Sequence, residues 1–331
     1  MPDTVDACDG GRPISATSGR CRRRRAAGGL VAIRLVIVAS VSGAACEPAP
    51  EPIGPATHEA AIEAWRVQRY ASLQKPDGWL SLVALFWLEP GTQTLGADAS
   101  NDLTYASPTG LFPAHVGAFH VRGDTIRFEA ARGADVRSAG APVTDILLAP
   151  VADSLQPRLH LGSVQWTVIR RAGRSAVRMW DAESPVCTGF TGIDRFTIAP
   201  ALRVPARFVR HDPPDTIDVP NILGGTNRTP SPASVRFEIA GRRFSLDLWK
   251  DADDLANFFT AFGDETNGGS TYGSGRFLWI DAPDEDGRTI IDFNRAYNPP
   301  CVFTEFATCP LAPLQNRLPL AIEAGERTWK D

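Results

Sequence analysis

The sequence is short of histidine, of net charge and of long apolar runs, and each shortage removes a class of function. Only five histidines occur among 331 residues, and none adjoins the cysteines near the C-terminus. A zinc site of mixed Cys and His ligands is therefore not expected, and no metal is assigned. The formal net charge is −4, and no basic stripe follows the first 25 residues, so nucleic acid is not expected as a partner. No P-loop, no Gly-x-Gly-x-x-Gly behind a strand, no Gly-x-Ser-x-Gly elbow and no His-Glu-x-x-His occurs. Four well-known signatures are missing this way, and no cofactor is expected.

What is present reads as a globular body behind a leader. Hydrophobic residues make up 43% and charged residues 22%, the balance of a globular chain. The 27 prolines and 29 glycines favour many turns over long helices. Arg22–Arg25 form a basic run, and Leu35–Ala45 is an apolar, small-residue segment. Eleven residues make a helix of about 16 Å, too short for a bilayer core of about 30 Å, but suited to the core of a signal peptide. The segment ends Gly43-Ala44-Ala45-Cys46, which resembles the bacterial lipobox, with Gly43 where that motif usually has leucine. Residues 1–46 are thus read as a leader, Cys46 as the lipidated residue and residues 47–58 as a Pro-rich tether in extended polyproline II. The expected location is the cell envelope, lipid-anchored, with the membrane touched only through that anchor; the alternative is plain secretion to the periplasm or beyond. Residues 1–30 carry no structural period, so a start at Val31 is a second expectation.

Along the body, Thr57 is read as the cap of a helix reaching Leu73, with Ile62, Trp65 and Leu73 on one face. Trp79–Leu88 is a dense apolar run, expected as a buried strand. Val116–Val121 and Thr125–Glu129 flank Arg122-Gly123-Asp124, a hairpin signal, and Val164–Arg170 and Ser175–Trp180 follow as strands. In the second half His211–Asp215 reads as an exposed crossing, and Thr216–Val219, Ser234–Ala240 and Arg243–Trp249 as strands. Arg276–Asp281 and Arg288–Phe293 read as strands joined in a hairpin by Pro283–Gly287. The fold class is mainly β: a short N-terminal helix and an antiparallel β-sandwich over residues 59–185, then a second antiparallel β lobe over residues 186–331.

Two resemblances add to this reading. Gly78–Leu82, Thr271–Phe277, Asp292–Pro310 (Asp-Phe-Asn-Arg-Ala-Tyr-Asn-Pro-Pro-Cys…Ala-Thr-Cys-Pro) and Gln315–Glu326 look like the bacterial domain-of-unknown-function family 1684. This resemblance implies one integrated unit and supplies no reaction. Leu95–Leu103, His115, Gly140–Val143 and Leu161-Gly162 are similar in order to the loops of forkhead-associated domains, which are β-sandwiches that bind phosphothreonine. Ala97 stands where those domains carry the phosphate-binding arginine, so the resemblance implies the sandwich and not the phosphate chemistry.

Chemistry is expected in the C-terminal lobe, where polar residues are densest. Asp292 and Asn294 share a strand face, with Arg295, Tyr297 and Asn298 behind them. Asp292 is the candidate general base and Tyr272 the donor to an oxyanion. Arg276 and Arg295 form the candidate clamp on an anion, and Asp264, Asn294, Tyr297 and Asn298 its orienting groups. The plainer reading is that these residues satisfy backbone groups in long loops. Cys301 and Cys309 enclose a short segment between prolines; a disulfide is the leading expectation, two reduced thiols the second reading and a metal pair the third. Cys187 reads as a buried free thiol. Arg178 and Asp181 bracket Trp180 and are candidates for a site wall. The functional expectation is an exported lipoprotein binding a small anionic molecule, with hydrolysis an option. The alternative is a non-catalytic envelope protein binding a protein or glycan partner. Whether it is an enzyme, and its oligomeric state, stay open.

Overall fold

The computed structural model describes residues 54–149, 156–171, 173–251 and 254–329. The leader, Cys46 and tether residues 47–53 lie outside them, and the last tether residues, 55–58, are helical rather than extended. The described residues belong to one compact unit.

The first element is a helix, α1 (Pro55–Leu73). It begins two residues before the expected cap: Gly54 is the N-cap and offers no side chain, and Thr57 lies inside the helix. Pro55 explains the start, since proline lacks the N–H that a first turn leaves unbonded, and its φ is already helical. Ile62 and Leu73 are fully buried on its inner face, as the spacing predicts, and His58 joins them at 4% exposure.

Eleven strands follow: β1 (Leu82–Trp87), β2 (Gly91–Gly96), β3 (Leu103–Thr104), β4 (Gly117–Arg122), β5 (Thr125–Ala130), β6 (Arg137–Ser138), β7 (Ala141–Pro142), β8 (Asp145–Ala149), β9 (Leu159–Leu161), β10 (Val164–Arg171) and β11 (Arg174–Asp181). They form two sheets, ordered β1-β11-β10-β9-β6-β7 and β3-β2-β4-β5-β8. Pairing is antiparallel except between β2 and β3. The alternation of Phe119 and Val121 on β4 with Ile126 and Phe128 on β5 sends apolar side chains inward at every second position. They meet Trp166, Val177 and Met179 from the facing sheet in one core. Each such side chain contributes about 1.5–3 kcal/mol when fully buried. The hairpin turn runs through Gly123 at φ +59°, as Arg122-Gly123-Asp124 predicts. The expected sandwich is therefore present.

The second lobe is a single six-stranded antiparallel sheet of β12 (Arg203–Pro220), β13 (Thr226–Ile239), β14 (Arg242–Asp251), β15 (Asp254–Phe262), β16 (Arg276–Ile280) and β17 (Arg288–Asp292). Its order is β16-β15-β14-β13-β12-β17. Two sequence expectations change here. His211–Asp215 is not a crossing between strands but part of β12; the pairing with β13 breaks between Arg210 and Asp215 and resumes beyond. A bulge accommodates the two prolines, which cannot donate to a ladder. Nor do β16 and β17 form a hairpin: they occupy opposite ends of the sheet order, and residues 281–287 carry the chain from one to the other. The reason is that β17 pairs with β12 and β16 with β15. The sheet packs one apolar core that includes Phe208, Phe237, Phe258, Leu278, Ile291 and Phe293, and a second that includes Ile217, Val219, Trp249, Phe259 and Phe277.

Candidate functional site

The polar residues singled out in the second lobe do come together, but as a buried clasp. Arg276, at the start of β16, is completely inaccessible. Its Nη2 donates to Asp264 Oδ2 at 2.8 Å and to the Ile322 carbonyl at 2.8 Å, and its Nη1 donates to the carbonyl of Ala324. Asp264 Oδ1 in turn accepts from the backbone N–H and hydroxyl of Thr266 and from Ile322 N. Sealed from solvent, this arginine offers no accessible edge to a ligand, which removes it from the expected anion clamp. It ties β16, the loop after β15 and the C-terminal segment into one piece.

Glu326 is the second knot, also at 0% exposure. It accepts from Arg69 Nε on α1 at 3.2 Å, from Arg195 Nη2 at 3.3 Å and from Asn298 N at 2.7 Å. Asn298 completes the join, its Nδ2 donating to Arg327 O and its carbonyl accepting from Arg69 Nη2. Two arginines on one buried carboxylate give charge-assisted bonds of the stronger kind. Tyr297 packs edge-on against Phe277 and lies under the Arg69 guanidinium, 4.5 Å from its ring centre.

Asp292 ends β17 with its side chain 11% exposed, and His58 Nε2 lies 2.7 Å from its Oδ2. Its other oxygen accepts from Asn294 N and Nδ2. Asn294 also bonds both backbone groups of Ala199. The expected base is thus held on both oxygens by structural partners. Arg295 is half-buried, makes no ion pair among the described residues, and its Nε lacks a partner.

Cys301 and Cys309 are free thiols in this structure, not the expected disulfide. The Cys301 N–H donates to Cys309 Sγ at 3.2 Å. Tyr272 faces Cys301 and Ser274 by hydrogen bonds rather than an oxyanion, and burial first, then the Cys301 bond, pushes its hydroxyl up to about 12. Cys187 is buried and free, accepting from Ser81 Oγ. Arg178 and Asp181 do not share a wall. Arg178 reaches Thr308 of the second lobe, whereas Asp181 accepts from Tyr105 and Ser107 within the sandwich.

Outside the clasp the surface dips into a polar cleft of about 270 Å³, lined by Asp194, Gly269, Ser270, Arg327, Thr328 and Trp329 among others. The clasp fixes its walls. Arg195 and Glu326, bonded to each other, immediately follow Asp194 and precede Arg327, and their segments pair through Arg327 N to Asp194 O at 2.8 Å. Thr328 N donates to Ser270 O at 3.0 Å, joining the third wall. Arg327 is exposed there and makes no ion pair among the described residues. The sequence does not point to this cleft or to His58, Arg69 and Arg195, because the partners of these side chains lie more than 100 residues away.

Comparison with known proteins agrees with the C-terminal signature. Residues 188–327 match the family described as "Protein of unknown function (DUF1684)". The match takes in most of the second lobe, including Asp264, Arg276 and Glu326. Among solved structures, an uncharacterized protein of Haloarcula marismortui is 32% identical over 43% of this chain and 78% of its own, with a TM-score of 0.36. The FhaA FHA domain is 14% identical over 28% of this chain and 85% of its own, TM-score 0.20. Mycobacterium tuberculosis EmbR, solved with a low-affinity phosphopeptide, is 12% identical over 40% and 33%, TM-score 0.19. None of the curated proteins compared matches the chain.

Proposed function

We propose that this protein is an exported, lipid-anchored envelope protein whose second lobe binds a small anionic molecule in the cleft beside Arg327. The observation that carries the reading is the exposed Arg327 guanidinium, without an ion-pair partner among the described residues, in a cleft whose three walls are braced by buried bonds. A planar guanidinium held in place suits a carboxylate or phosphate, which it can meet with two parallel hydrogen bonds. Gly269 leaves the wall without a side chain, and Ser270 and Thr328 supply hydroxyls for the rest of the ligand. Asp194, on the segment paired with Arg327, suits a hydroxyl or ammonium group of the same molecule. Binding is favoured over hydrolysis, because Asp292, the carboxylate expected as base, is occupied by His58 and Asn294.

The test is a calorimetric screen of the full chain against small carboxylates, phosphates and sugar phosphates, with Arg327→Ala beside the wild type. A hit should weaken about tenfold to a hundredfold in the variant, the loss of one charge-assisted contact of about 1.5–3 kcal/mol. A hit that binds both proteins equally defeats the cleft assignment. For the anchor, Cys46→Ser should move the protein from the membrane fraction to the soluble one; unchanged membrane retention refutes lipidation at that cysteine.

A further inference from the structure

Where the two lobes meet, a cation is buried without a carboxylate. Arg178, on β11, is 8% exposed, and its Nε has no partner. Its Nη2 only grazes Thr308 Oγ1 at 3.5 Å, and its guanidinium lies 5.6 Å from the Trp79 ring centre. No acidic side chain pairs with it among the described residues. A buried charge of this kind is costly unless something compensates it. The group beside it is the cysteine pair: Thr308 precedes Cys309, and Cys309 feels the Arg178 charge. Cys309 Sγ lies 3.2 Å from Cys301 N, an atom two bonds from the Cβ that carries the other sulfur. The Tyr272 hydroxyl bonds the Cys301 thiol on its other side.

We propose that Cys301 and Cys309 form a redox-active dithiol that reduces small disulfides, with Cys301 the attacking thiol, Cys309 the resolving thiol and Arg178 the cation beside Cys309. The assignment within the pair follows access. Cys301 is partly open to solvent, whereas Cys309 is 4% exposed. The Cys309 S–H and the Tyr272 O–H both donate to Cys301 sulfur and favour its thiolate, lowering its pKa. Cys309, donating its proton, is pushed up and stays protonated. Burial brings Arg178 down to about 10, which leaves it charged at neutral pH.

In the first step the Cys301 thiolate attacks one sulfur of a disulfide RS–SR. A Cys301–SR bond forms, the RS–SR bond breaks, and RS⁻ leaves and takes the proton that Cys301 had released. In the second, Cys309 attacks the Cys301 sulfur, a Cys301–Cys309 bond forms, and the second RS⁻ leaves with the Cys309 proton. One disulfide is reduced to two thiols while two protein thiols become a disulfide. The substrate class is a low-molecular-weight disulfide such as oxidised glutathione, small enough to reach a half-open thiol.

The experiment treats the reduced full chain with oxidised glutathione and maps modified cysteines by peptide mass spectrometry, which separates this pair from Cys8, Cys21, Cys46 and Cys187. In wild type the 301–309 disulfide should form with release of two equivalents of reduced glutathione. Cys309→Ser should stop at a mixed disulfide on Cys301, and Cys301→Ser should leave Cys309 unmodified. Tyr272→Phe keeps the ring and loses the donor. If that raises the thiol by about one unit, thiolate falls about tenfold while its nucleophilicity rises, and attack slows about threefold. Formation of the glutathione adduct at Cys187 instead, or equal reaction of Cys309 in Cys301→Ser, overturns the proposal. So does a wild-type pair that stays reduced, and so does a Tyr272→Phe protein, folded by circular dichroism, that reacts at the same rate as wild type.

Discussion

Asp264 Oδ2 lies 2.8 Å from Arg276 Nη2, and neither side chain is accessible to solvent. Both residues were candidates for ligand binding, and the structure spends both on holding three chain segments together. Removing one partner of such a pair leaves an uncompensated buried charge. Asp264→Asn should therefore cost about 3 kcal/mol or more in urea unfolding. Unfolding at the wild-type urea midpoint would show that the pair does not support the fold.

His58 fastens α1 to the second lobe by its contact with Asp292. In His58→Ala one carboxylate oxygen, nearly buried, loses its only side-chain donor among the described residues. A loss of about 1–3 kcal/mol is expected. It should be local: amide hydrogen exchange should quicken along Pro55–Leu73 while amides of β10 and β11 keep their protection. Uniform quickening across both lobes would contradict a local fastening.

Gly325 sits at φ +80° with its Cα turned into the 293–296 turn. A Cβ there would stand 2.4 Å from the Ala296 carbonyl oxygen. Backbone on both sides cannot yield cheaply, and the left-handed conformation adds strain for any other residue. Gly325→Ala should lose about 2 kcal/mol or more by thermal unfolding. A melting temperature within a degree or so of wild type would mean that the turn moves freely.

Local patterns were legible in the sequence where the physics is local. Arg122-Gly123-Asp124 between two alternating runs gave away the β4–β5 hairpin, because the glycine and the period-two pattern act within a dozen residues. The apolar run after Trp79 likewise became a buried 3-10 turn and β1. The failures that reshape the fold and the site are non-local. Pro283–Gly287 looks like a hairpin turn in isolation, but β17 finds its partner in β12, some 80 residues earlier. The prolines of His211–Asp215 argued against a strand until the bulge absorbed them. The density of polar residues at 264–298 was real, yet density alone does not separate a clasp from a ligand site. That distinction lies in which side chains are sealed and by whom, and His58 and Arg69, the outer partners, come from a helix more than 200 residues away.

The sandwich carries its own pH limits in the pair Tyr105 and Asp181, joined at 2.7 Å. Burial pushes the Asp181 carboxyl up, but hydrogen bonds from the Glu183 N–H and from Ser163, Tyr105 and Ser107 outweigh it and hold the group below its ordinary range. A folded pKa below the unfolded value near 4 stabilises the protein fully above about pH 4, and the contribution disappears as pH falls through the folded value. Tyr105 behaves oppositely. Burial first, then the Asp181 bond, pushes its hydroxyl well above the usual value near 10. Its contribution is complete below about pH 10 and declines as pH rises beyond that, because only the unfolded chain then releases the proton. Melting temperatures should therefore fall less steeply below pH 4 in Asp181→Asn than in wild type, and less steeply above pH 10 in Tyr105→Phe. Both variants should also be less stable than wild type at neutral pH, where each breaks the shared bond. Slopes identical to wild type at both ends would mean that the pair is not what sets these limits.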